Sequence, residues 1–109
     1  MDAQMKRGLL EVCVLAALLR QDSYGYRIIK DLSPSIEISE STLYPILKRL
    51  QSGCCLSEYS QEHNGRLRKF YHLTEGGRQR IAAFLNEWQD VMGVYRFIEG
   101  EWKGEWKND

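Results

Sequence analysis

From Ile81 to Ile98 an apolar residue falls at every third or fourth position: Ile81, Phe84, Leu85, Trp88, Val91, Met92, Tyr95 and Ile98. That is the period of an α-helix with one apolar face. Such a helix spans roughly 30 Å at about 1.5 Å per residue. The chain has 109 residues, enough for one small core and too few for two. Nothing in the rest of it is left over to cover so long a stripe. The expected cover is a second copy of the chain, with Ile81, Phe84, Leu85, Trp88, Val91, Met92 and Tyr95 as the dimer interface.

The preceding residues read as three helices and a hairpin. A first helix is expected over about Lys6 to Leu19, with Leu9, Leu10, Val12, Cys13, Leu15, Ala16 and Leu19 covering more than one face. Gln21-Asp22-Ser23 is a polar break in which Asp and Ser are candidate N-caps. A short second helix follows from Tyr24 to Leu32 and stops at Ser33-Pro34-Ser35, since Pro34 disfavours the helical region for Ser33. The third helix is expected from Ser39 to Ser52, ended by Gly53. Its Leu43, Ile46, Leu47 and Leu50 form a core stripe. Strands over Cys55–Ser60 and Leu67–Leu73 then flank a polar tip with the turn signal Asn64-Gly65. Thr74 is placed to cap the fourth helix. The fold class is mainly α with a two-stranded β-hairpin, a winged helix-turn-helix plus a long C-terminal dimerisation helix. Its expected parts are residues 1–73 for DNA binding, 74–98 for dimerisation and a flexible tail at 99–109, whose Gly-interrupted EGEWKGEWKND is expected to fray.

Charge adds direction. Lys plus Arg and Asp plus Glu are 15 each, so the bulk balance says nothing of nucleic acid. Between Thr42 and Arg80, however, seven basic residues stand against three acidic ones. In a winged helix-turn-helix the third helix enters the major groove and phosphate contacts fix its register. The outer face of this helix has what that task needs. Ser41 and Thr42 are short donors near its start, and Tyr44 reaches a phosphate or a thymine methyl. Pro45 shares that face, and Lys48 and Arg49 reach phosphate or guanine. Arg66, Arg68 and Lys69 make the hairpin a cationic wing for the backbone or the minor groove. The expected partner is double-stranded DNA.

Three stretches carry a specific resemblance: Gly25-Tyr26 in the second helix, the run from Ser41 to Leu50 (STLYPILKRL), and the run from Arg68 to Gly77 (RKFYHLTEGG) at the end of the wing. With the spacing of the first helix, they resemble the short, single-domain branch of the PadR family of bacterial repressors over residues 5–98. The resemblance implies a homodimer joined through the fourth and first helices, an operator with inverted repeats, and repression relieved by an effector. Trp88 matches the position of a tryptophan that stacks on planar aromatic ligands in relatives that bind multiple drugs. Gly8, Val12, Val91 and Met92 would complete that effector site. Met92 stands where such relatives carry a carboxylate, which leaves neutral or anionic aromatics, phenolic acids among them. Two further departures are Cys54-Cys55, where the family has plain apolar residues, and the Trp-rich tail.

Other classes are disfavoured. The N-terminal apolar run is broken by Glu11, lacks a cleavage site and is too short to span a bilayer. Three cysteines without framework spacing fit a reducing cytoplasm. Cys54, Cys55, His63 and His72 lack metal-ligand spacing, and adjacent cysteines on a strand point to opposite faces; no metal and no cofactor is expected. Neither a nucleophile elbow nor a phosphate loop is present, and paired carboxylates beside a base are lacking too, so no enzyme is expected. Two alternatives remain open: a winged-helix module for protein interaction, and a thiol-redox-sensing regulator acting through Cys54 and Cys55.

Overall fold

The computed structural model describes residues 1–105. In chain order its elements are α1 (Ala3–Ala16), α2 (Gly25–Leu32), α3 (Glu40–Ser52), β1 (Leu56–His63), β2 (Arg66–Leu73) and α4 (Glu75–Lys103). One core holds them together. Leu10, Val14, Leu15 and Leu18 meet Ile28 and Leu32 of α2, the four-residue stripe of α3, and Leu56, Tyr71 and Leu73 of the hairpin. Leu43, Ile46, Leu47 and Leu50 are all buried, as their spacing requires.

The ends of α1 and α2 differ from the sequence reading. Helix α1 starts at Ala3 because the Asp2 side chain accepts from the Gln4 N–H, an acidic cap where the helix dipole favours one. It stops at Ala16, and Leu18 reaches the core from the tight turn that follows. Neither Asp22 nor Ser23 caps α2. Tyr24 holds the cap position without a side-chain bond, because the two polar side chains are committed elsewhere. Ser23 accepts from Arg27 Nε at 2.9 Å, and its backbone pairs with Tyr71 of β2 through bonds of 3.2 and 2.7 Å. The loop between α1 and α2 thus adds a one-residue third strand to the hairpin.

The hairpin is longer than expected because its turn is tighter. Asn64 and Gly65 have φ of 53° and 76°, the left-handed pair of a two-residue turn. Gln61, Glu62 and His63 therefore stay in register with Arg68, Leu67 and Arg66 rather than looping out. After α3 the left-handed residue is Cys54, with φ 61°, and not Gly53. Cys54-Cys55 thus forms a turn ahead of β1 rather than two positions of a strand.

At the start of α4, Thr74 accepts from the Gly77 N–H and donates to the Cys54 carbonyl at 2.6 Å. A Cβ at Gly77 would lie 2.5 Å from Leu73 Cδ1 and nearer still to the Cys55 carbonyl oxygen. Only glycine lets α4 begin this close to the turn. The helix passes Ile98 and Gly100 and ends at Lys103, with Gly104 left-handed at φ 68°. Bonds from Tyr95 to Glu99 at 2.8 Å and between Lys103 and Glu99 at 3.4 Å support that last stretch. The expected tail, 99–109, is therefore helical in its first five residues, and Trp106 lies outside the described residues. Helix α4 makes the molecule 69 Å long and only 25 Å across.

Candidate nucleic-acid interface

At about 100° per residue, the outer face of α3 is centred on Ser41, Pro45, Lys48 and Ser52. Tyr44 and Gln51 flank it on the side of the wing, Thr42 and Arg49 on the side of α1. All eight are exposed. Ser39 Oγ accepts from the Thr42 N–H at 3.3 Å and lies 3.0 Å from Ser41 Oγ and 3.1 Å from Thr42 Oγ1. Three hydroxyls therefore cluster at the helix start, and Ser39 joins the two expected there. Pro45 has no N–H, which leaves the Ser41 carbonyl without its helical partner.

The wing cations divide between two faces. The pleat turns Lys69 toward α3, where it lines a cavity of about 290 Å³ with Tyr44, Lys48 and Glu58, its ammonium 3.8 Å from the Glu58 carboxylate. Arg68 lies instead with its guanidinium 4.8 Å from the Tyr24 ring centre, and Arg27 lies 5.0 Å from the same ring. Such stacking fixes a cation at little cost in its charge. The buried Nε of Arg68 has no hydrogen-bond partner among the described residues. Arg66 is exposed beside the turn. Between wing and α2 a second cavity of about 340 Å³ is lined by Tyr26, Tyr44, Arg68 and Lys69 among others. Tyr26 was not singled out by its helical spacing, which shows only that it faces away from the core. Gly25 lies beneath Tyr44, where a Cβ would come within 2.5 Å of the phenol oxygen.

Arg49 is not free. Its Nε donates to Glu11 of α1 at 3.2 Å, and the other Glu11 oxygen accepts from Arg80 of α4. Burial pushes the Glu11 carboxyl up, but the two guanidinium groups outweigh it and hold it below the usual carboxylate value. A second cluster anchors the wing from behind. Asp22 accepts from the Tyr59 hydroxyl at 2.7 Å and sits 2.8 Å from His72 Nδ1. Burial of Asp22 raises its carboxyl, yet these two partners bring it below its ordinary value. Fifty residues separate Asp22 from His72, so no local pattern signals the pair.

The expected interface stripe splits in two. Ile81 packs against the core of its own chain. Phe84 and Trp88, with ring centres 5.8 Å apart, line a groove of about 360 Å³ against Gly8 and Val12 of α1 and Arg80 of α4. Leu85, Val91, Met92 and Tyr95 are exposed, Leu85 and Tyr95 by more than half. Three of the five expected effector residues, Gly8, Val12 and Trp88, thus share one groove, whereas Val91 and Met92 lie beyond it. Of the cysteines, Cys54 is exposed and Cys55 buried. Among the described residues no group of three or more His, Cys, Asp or Glu could hold a metal ion, and no helix is long and apolar enough to cross a membrane.

Comparison with known proteins agrees with this architecture. A Streptococcus mutans protein of solved structure is 42% identical, superposes with a TM-score of 0.74, and each chain covers 94% of the other. A PadR-like transcription factor from Bacteroides fragilis is 32% identical with a TM-score of 0.77, over 88% of this chain and 95% of that one. A Lysinibacillus sphaericus protein is 32% identical over 100 residues, 86% of this chain and 92% of its own length. Residues 14–83 match the transcriptional regulator PadR-like family. The chain belongs to that family of non-enzymatic, DNA-binding transcriptional regulators.

Proposed function

We propose that the chain is a homodimeric repressor of nearby genes, binding an inverted-repeat operator and released by a small aromatic or hydrophobic effector. The observation that carries the DNA-binding part is the shared setting of Tyr44 and Lys48 on α3 with Lys69 of the wing, around cavities open to solvent. In a dimer, two such faces set about 34 Å apart match half-sites one helical turn from each other. The exposed residues of α4 from Leu85 to Ile98 support dimerisation, because an apolar face of that length is rarely left in water. The groove beside Trp88 supports an effector site, since its apolar walls and aromatic pair suit a flat ring. A ligand there changes repression only by favouring one spacing of the two reading helices over the other.

The test is a comparison of alanine variants. Lys48→Ala and Lys69→Ala are expected to weaken binding to an operator duplex several-fold while Lys30→Ala, equally cationic but on α2, leaves it unchanged. Equal binding by all three variants rules out this placement of the DNA.

A further inference from the structure

Glu11 joins three helices through one carboxylate. Its side chain is 13% exposed, and its two oxygens accept from Arg49 of α3 and Arg80 of α4, whose own side chains are 39% and 41% exposed. Arg49 spends only its Nε on this contact. The terminal nitrogens of its guanidinium fork are further donors, at the edge of the α3 face that carries Pro45 and Lys48. A carboxylate with one partner could not release it without being stranded in a poorly hydrated site. With two partners it can give up one and stay neutralised.

Resting on the DNA-binding reading above, we propose that Arg49 is a phosphate contact held in reserve: Glu11 keeps Arg80 and lends Arg49 to the DNA backbone. Arg80 is then a positioning residue for DNA binding although it lies on α4 and touches no DNA. It also gives the groove beside Trp88 a route to the reading helix, because Arg80 lines that groove. An occupant that draws the Arg80 guanidinium off Glu11 leaves Arg49 as the sole partner of that carboxylate, so Glu11 holds it and affinity for DNA falls. The sign of regulation follows from the pairing alone.

The experiment uses the full chain and a fluorescent duplex of arbitrary sequence, about 20 base pairs long, titrated between 50 and 200 mM salt. Arg49→Met is expected to make the slope of log K against log salt shallower by about 0.9 per bound protomer, the value for one lost phosphate contact. Over that salt range, this is about 3.5-fold less loss of affinity per protomer. Arg80→Met is expected to reproduce the Arg49→Met slope, whereas Arg80→Lys keeps the pair and stays near wild type. Glu11→Gln is expected to bind several-fold more tightly at the wild-type slope. Arg78→Met controls for the plain loss of a cation from α4, and circular dichroism establishes that each variant folds. In the Arg49→Met background, the Arg80 and Glu11 substitutions are expected to have no further effect. Effects that persist in that background, or wild-type binding by Arg80→Met, overturn the proposal and leave the DNA-binding reading standing. A wild-type chain that binds no duplex at 50 mM salt overturns both.

Discussion

Replacing Gly77 by alanine tests how α4 is joined to the rest of the molecule. Elsewhere in a helix, Gly→Ala stabilises by about 0.5–1 kcal/mol through backbone entropy. At Gly77 the added methyl would lie 2.5 Å from Leu73 Cδ1 and closer to the Cys55 carbonyl oxygen, where carbon contacts normally begin near 3.5 Å. The carbonyl is backbone and cannot rotate away, so the first turn of α4 must lift by about 1 Å to restore a normal contact. That movement pulls on the Thr74 bonds to the Gly77 N–H and the Cys54 carbonyl, a cap worth about 1 kcal/mol. Overpacking against Leu73 costs a further 1–3 kcal/mol or so. Set against the propensity gain, the net loss is about 2 kcal/mol, a fall of roughly 8–16 °C in Tm for a domain of this size. The control is Gly93→Ala, since a Cβ at Gly93 meets nothing within 4 Å; it is expected to raise Tm by a few degrees. Both are measured by thermal denaturation at one fixed protein concentration, because a dimer melts with mass action. A Gly77→Ala chain as stable as Gly93→Ala would refute the close approach of α4 to the Cys54-Cys55 turn.

Three other outcomes follow from the same geometry. Glu11 is held below its ordinary value of 4.5, so its pairing stabilises the fold above that pH and is lost as pH falls below it; acid unfolding of Glu11→Gln is expected to be less steep than that of wild type there. Tyr71, 3% exposed, is pushed up to about 12 by burial and by the nearby Glu58 and Tyr44. The unfolded chain ionises this phenol first, so stability is expected to fall from pH 10 toward 12, less so in Tyr71→Phe; identical alkaline profiles would remove the argument. Charged residues at Trp88 and Val91 together are expected to give monomers or unfolded chains in sedimentation, and an undisturbed dimer would show that α4 pairs through another face.

Legibility in the sequence tracked the reach of each interaction. The α3 stripe, the Asn64-Gly65 turn and the Thr74 cap are local, so spacing and residue type revealed them. The polar run Gln61–Arg66 suggests a six-residue tip and hence shorter strands, although Asn64-Gly65 alone closes the hairpin. Asp22 and Ser23 looked like caps, and only the docking of β2 against their loop, through Tyr71 and His72, redirects them. Arg49 looked like a free cation on an outer face; its partner Glu11 lies 38 residues away, beyond any periodicity. Gly77 gave no conformational signal, because what it avoids is a carbonyl 22 positions earlier.

The central claim, that α3 and the wing read DNA, is tested most directly by an electrophoretic shift at two salt concentrations. The chain is titrated against the duplex upstream of its own coding region and against the same bases in shuffled order. The account predicts a shift of the native duplex by two chains per site, at least 10³-fold tighter than the shuffled one, and weakening from 50 to 200 mM salt as phosphate contacts require. Equal affinity for the two duplexes, or binding indifferent to salt, contradicts it.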